Sequence, residues 1–180
     1  RWSLEADLAE ALTDTNLKGQ AKRDRLIELA SAAGTEFPTV RNRAQVAEGE
    51  SYLEGQNKDF ASARKVFQRI AESPRADRAT LAGAYTGLGD CLFQEAVDQS
   101  KGSGDPTPTL EAALENYLRV VVVYKEQQRY VPKAMFYAGR VFEFRGDEES
   151  KERAKLMYRR VMQRYGDSNW AGEARKQLGG

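Results

Sequence analysis

The chain has 180 residues, 41% hydrophobic and 31% charged with five prolines, the size and composition of one soluble domain with enough core to fold by itself. Its 28 lysines and arginines against 27 acidic residues leave a net charge of +1 with the signs interspersed, which gives no electrostatic footprint for nucleic acid; the longest apolar run, four valines at 120–123, is far short of the roughly 20 residues that span a bilayer. With no histidine and a single cysteine, Cys91, the chain lacks the common general base, the common zinc ligand and any Cys-His or Ser-His pairing, which excludes most enzyme classes and implies no cofactor.

Taken in order, Ser3 is placed to cap a first helix over residues 4–12. A second helix is expected over 20–33, with Leu26, Ile27, Leu29 and Ala30 as its apolar stripe, stopping at Gly34 and a Phe37-Pro38 turn. These two helices make a leading pair, residues 1–38. The next pair, residues 39–74, joins a helix over 43–54 to one over 60–72, on which Phe60, Ala63, Phe67 and Ile70 share a face. Gln45 and Glu48 are polar on the first of these, so its packing falls to Ala44, Ala47 and Tyr52.

A third pair, residues 75–130, joins a helix over 76–97, with Tyr85, Leu88, Gly89 and Leu92 inward, to one over 110–124 carrying Leu110, Ala113, Leu114, Tyr117, Val120, Val121 and Tyr124. Between them, residues 100–109 are rich in Ser, Gly, Pro and Thr and read as an inserted flexible loop. Gly102-Ser103-Gly104 in that loop is not a phosphate cradle, since no Gly-Lys-Ser/Thr and no preceding strand accompany it. A fourth pair, residues 131–166, sets Met135, Ala138, Gly139 and Phe142 against Ala154, Tyr158, Val161 and Met162 across a Gly146-Asp147 turn. Asp147, Glu148 and Glu149 open its second helix, where acidic residues favour the helix dipole. A last helix over 167–180, capped by Ser168 or Asp167, covers the end with Trp170, Ala171, Ala174 and Leu178. Cys91, beside Gly89 in a packed helix, reads as an inert small hydrophobe.

Three landmarks recur along this path. Gly49, Gly89 and Gly139 each sit in a first helix, and Ala63/Phe67, Ala113/Tyr117 and Ala154/Tyr158 each place a small residue four positions before an aromatic on the second. This order resembles the tetratricopeptide repeat, a stacked helix-turn-helix of about 34 residues. The spacings here are longer, 40 and 50 residues between the glycines, which makes the repeats degenerate with lengthened turns. Residues 165–175 resemble the Tyr-Pro-x-Ser-x-x-Ala-x-x-Ala junction of bacterial envelope members of the family, with Gly166 in place of the proline.

The resemblance implies an all-α fold, a right-handed α-solenoid of stacked antiparallel helix pairs in one domain. It implies a non-catalytic scaffold that binds a peptide or helix of a protein partner on the first helices of successive pairs. The corresponding outward positions are Val46, Glu50 and Leu53; Thr86, Asp90 and Phe93; and Phe136, Arg140 and Glu143, each set spaced i, i+4, i+7 so that it presents one stripe. The lysine, asparagine and arginine of the family's carboxylate clamp do not occupy these positions, so capture of chaperone C-termini is not expected. A structural role, with repeat surfaces filled by another copy in a homo-oligomer, is the alternative. The resemblance also points to the bacterial periplasm or cell envelope, with anchoring by a segment missing before Arg1.

Overall fold

The computed structural model describes residues 2–179, and among these it contains helices and no strand. In chain order they are α1 (Trp2–Thr13), α2 (Gly19–Ala33), α3 (Pro38–Ser51), α4 (Phe60–Ala71), α5 (Arg78–Lys101), α6 (Thr107–Val123), α7 (Val131–Arg145), α8 (Glu148–Arg164) and α9 (Asn169–Gln177). The all-α expectation therefore holds. The chain groups into two compact units, Arg1–Gly87 and Leu88–Gly180. The division falls inside α5, away from the loops that separate the pairs in the sequence.

Local chemistry explains most boundaries and corrects several. Ser3 lies within α1 and does not cap it. Pro38 begins α3, five residues before the expected start, with Phe37 at the N-cap position. A proline fits the first helical position because its missing N–H has no helical acceptor there and its φ is already helical. Asp59 and Asp147 cap α4 and α8 by accepting from the backbone N–H of Ser62 and Ser150 at 2.9 Å; Asp77 does the same for Thr80 at 2.8 Å. Ser168 sits at the N-cap position of α9, yet its hydroxyl donates back to the Tyr165 carbonyl and caps nothing. The expected insertion at 100–109 shrinks to residues 102–106. At its front Gln94–Asp98 and Lys101–Asp98 bonds support the last turns of α5; at its back Pro108 lies in the first turn of α6.

In the first unit, α1 packs on α2 and α3, and α2 on α3. Leu8, Ala11, Leu26, Leu29, Ala30, Ala33, Val40, Ala44 and Ala47 form one buried cluster with Phe37 against it. Ile27, expected inward, is exposed instead. Asn42 is buried and ties α3 to the start of α5, donating to the Arg75 carbonyl and to Asp77 Oδ2 while accepting from Arg41. Glu48, the polar position in the middle of α3, is buried and accepts from Arg69 of α4 at 3.1 Å. Burial pushes its carboxyl above the ordinary 4.5, and the Arg69 charge opposes that shift.

Phe67 of α4 is 0% exposed, and the reason lies in two glycines. A Cβ on Gly49 of α3 would come within 2.5 Å of the Phe67 ring, and one on Gly87 of α5 within 2.2 Å of its other edge. Neither glycine has the positive φ that would demand it on backbone grounds; the close approach of the ring demands it. In the second unit, a Cβ on Gly89 of α5 would lie 2.5 Å from the Tyr117 ring of α6, and one on Gly139 of α7 would lie 2.6 Å from the Tyr158 ring of α8. Here α6 packs on α7, α7 on α8, and α9 on both α7 and α8.

Candidate functional site

The nine residues of the expected stripes do not share one environment. In the first unit Val46 and Thr86 are buried, 3% and 2% exposed, and the Thr86 hydroxyl donates to the Ala82 carbonyl one turn back. Glu50 and Leu53 are half-buried. In the second unit Phe136 is 4% exposed, while Asp90, Phe93 and Arg140 are half-buried and Glu143 exposed. The leading residue of each stripe therefore faces a neighbour and not solvent. Within a helix the i, i+4, i+7 spacing fixes a common direction, but a stripe about 60° wide can straddle the edge of a buried face. Leu53, expected inside a helix over 43–54, lies past the end of α3 at Ser51, where that spacing no longer holds.

What the second unit does bring together is a ledge of aromatic rings from three helices. Tyr137 of α7 is its centre. Its ring meets Phe93 of α5 at 6.0 Å between centroids and 69° between planes, and Trp170 of α9 at 5.5 Å and 63°. It also stacks on Tyr117 of α6 at 5.7 Å and 19°. Phe93 touches Phe144 edge-on at 6.1 Å, and Phe136 lies beneath, 5.3 Å from both Tyr137 and Trp170 and 5.5 Å from Tyr158. Phe93, Tyr137 and Trp170 are half-buried and Phe144 is exposed, so the ledge presents ring surface to solvent.

Charges frame the rings in pairs. Lys133 Nζ donates to Asp90 Oδ2 at 2.5 Å and lies 5.9 Å from the centroids of Tyr137 and Trp170, within range for an attraction between cation and ring face. Asp90 also accepts from the hydroxyl of buried Tyr117 at 2.9 Å. Arg140 Nε is 3.1 Å from Glu143 Oε2, which accepts from the Tyr158 hydroxyl at 3.0 Å. Tyr117 and Tyr158, whose rings fill the spaces at Gly89 and Gly139, thus each hold a carboxylate at the rim of the ledge.

Tyr137, Lys133 and Phe144 belong to the ledge but not to the expected stripes, and Trp170 joins it as well as covering the end of the chain's last pair. A signal existed: Lys133, Tyr137 and Arg140 repeat the i, i+4, i+7 spacing three residues before Phe136, Arg140 and Glu143.

Burial, then the neighbouring Asp90 charge and its hydrogen bond, push the Tyr117 hydroxyl well above its ordinary 10.0; burial and Glu143 do the same for Tyr158. Above pH 10 the unfolded chain releases these protons while the folded chain keeps them, so stability falls as pH rises beyond that value. Denaturant titrations across the alkaline range should show this loss, and Tyr117→Phe with Tyr158→Phe should flatten it. An unchanged slope would remove these tyrosines from the account.

Among the described residues no helix is long and apolar enough to cross a membrane. Compared with known proteins, the chain matches no family model, no curated protein and no solved structure.

Proposed function

We propose that the protein is a non-catalytic, tetratricopeptide-like interaction module, its antiparallel helix pairs forming a right-handed α-solenoid, and that it binds a peptide or helix of a protein partner on the aromatic ledge of the second unit. The support for the repeat is the same contact made three times. An aromatic from the second helix of a pair, Phe67, Tyr117 or Tyr158, fills the space left by a glycine on the first, Gly49, Gly89 or Gly139. The support for binding is the ledge itself. Phe93, Tyr137 and Trp170 offer rigid ring surface between Asp90–Lys133 and Arg140–Glu143, the combination of aromatic and arginine anchors that dominates interface energetics. The envelope setting follows from the resemblance of residues 165–175 alone.

The test is affinity capture from a bacterial envelope extract with the wild-type chain and with Phe93→Ala/Arg140→Ala. Loss of the captured protein by the double variant, at least tenfold or about 1.4 kcal/mol, supports the ledge. Equal capture at an equal melting temperature sinks it.

A further inference from the structure

The outer face of α8 carries charge that the ledge does not use. From residue 153 to 166 the chain has five cations and no acid, namely Arg153, Lys155, Arg159, Arg160 and Arg164. All five are exposed; Arg159 and Arg160 stand on the side of α8 away from buried Ala154, Tyr158 and Val161, while Arg153 lies over the Phe142 ring of α7, 5.8 Å from its centroid. Arg153 pairs with Glu149 and Lys155 with Glu152. No ion pair holds Arg159, Arg160 or Arg164 among the described residues. In their midst Leu156 is 43% exposed, one turn before Arg160, which is one turn before Arg164.

The opposite charge lies on α1. Residues 2–17 hold Glu5, Asp7, Glu10 and Asp14 and no lysine or arginine. Asp7, Glu10 and Asp14 follow at i, i+3, i+7 and line a cleft of about 230 Å³ with Ala11, Leu17 and Arg25. The one cation there, Arg25, is already bonded to Glu28 at 2.8 Å and stands 3.9 Å from Asp7. Beside this acidic row, Ala6 and Ala9 are exposed, a shallow surface on which a partner leucine can pack.

We propose that the arginine stripe of α8 docks α1 of a second copy of this chain. Arg159, Arg160 and Arg164 would meet Asp7, Glu10 and Asp14, and Leu156 would pack on Ala6 and Ala9. Guanidinium groups suit carboxylates because their planar fork donates two parallel hydrogen bonds. A bilayer surface fits the stripe less well, since its outward face has a single apolar side chain to insert. Nucleic acid also fits less well, because the one aromatic of the stripe segment before Tyr165, Tyr158, is buried and cannot stack on a base. The contact joins different surfaces of the two copies, so it propagates head to tail unless the rotation closes a ring.

Sedimentation velocity on the whole chain, from micromolar to roughly 0.1 mM, tests this directly. Wild type should associate with rising concentration, and at least tenfold more weakly when salt is raised from about 0.05 to about 0.5 M, because exposed charges are screened. Arg159→Glu/Arg160→Glu alone and Glu10→Arg/Asp14→Arg alone should each sediment as monomers with unchanged circular dichroism. Mixed one to one, the two variants present complementary faces and should associate again. Wild type that stays monomeric throughout at low salt, variants that associate as wild type does, or a mixture that stays monomeric would each overturn the proposal.

Discussion

Phe67→Ala should cost about 3–5 kcal/mol, the range for removing a fully buried aromatic ring, read as a lower midpoint in urea at unchanged slope. The sharper expectation concerns the glycines on either side. In the wild-type background Gly87→Ala drives a methyl into a ring that has nowhere to go, 2.2 Å from the position of the new carbon, and overpacking of this kind costs about 1–3 kcal/mol. With Phe67 already alanine the methyl enters the vacated space. The intrinsic preference of a helix for alanine over glycine, about 1 kcal/mol, then decides the sign. Gly87→Ala should therefore destabilise wild type and stabilise Phe67→Ala, and Gly49→Ala should follow the same pattern. Equal destabilisation in both backgrounds would show that the ring does not occupy the place assigned to it.

That coupling also shows how far the sequence could be read. Gly49, Gly89 and Gly139, with Phe67, Tyr117 and Tyr158, were legible because a helix-period pattern with a small residue before an aromatic has few other uses, and the structure pairs each with its partner. Gly87 was not legible as a packing position, since nothing in its local pattern distinguishes the second wall of the Phe67 site from an ordinary helical glycine. Pro38 and Pro108 were read as parts of a turn and a loop, where they stand in the first turns of α3 and α6. Proline is favoured in both settings, and only the chain that follows decides between them. The ledge was half legible. Phe93, Asp90 and Arg140 were found by spacing, but Trp170 reaches Tyr137 only because α9 packs back on α7, a tertiary fact with no periodic trace.

The same limit governs Phe136, for which burial and binding give opposite expectations. A surface anchor replaced by alanine weakens a partner's hold and leaves folding alone. Phe136, however, is 4% exposed and contacts Tyr137, Tyr158 and Trp170, so Phe136→Ala should lower stability by about 3–5 kcal/mol. It should also loosen the rings above it, and any loss of binding it causes would report a disturbed ledge and not a lost contact. Arg140→Ala is the control, because its pair with Glu143 is part-exposed and such pairs are worth about 0–1 kcal/mol. Thermal and urea denaturation of the two variants side by side separates the roles. A Phe136→Ala protein as stable as Arg140→Ala would return Phe136 to the solvent-facing stripe and restore it as a direct anchor.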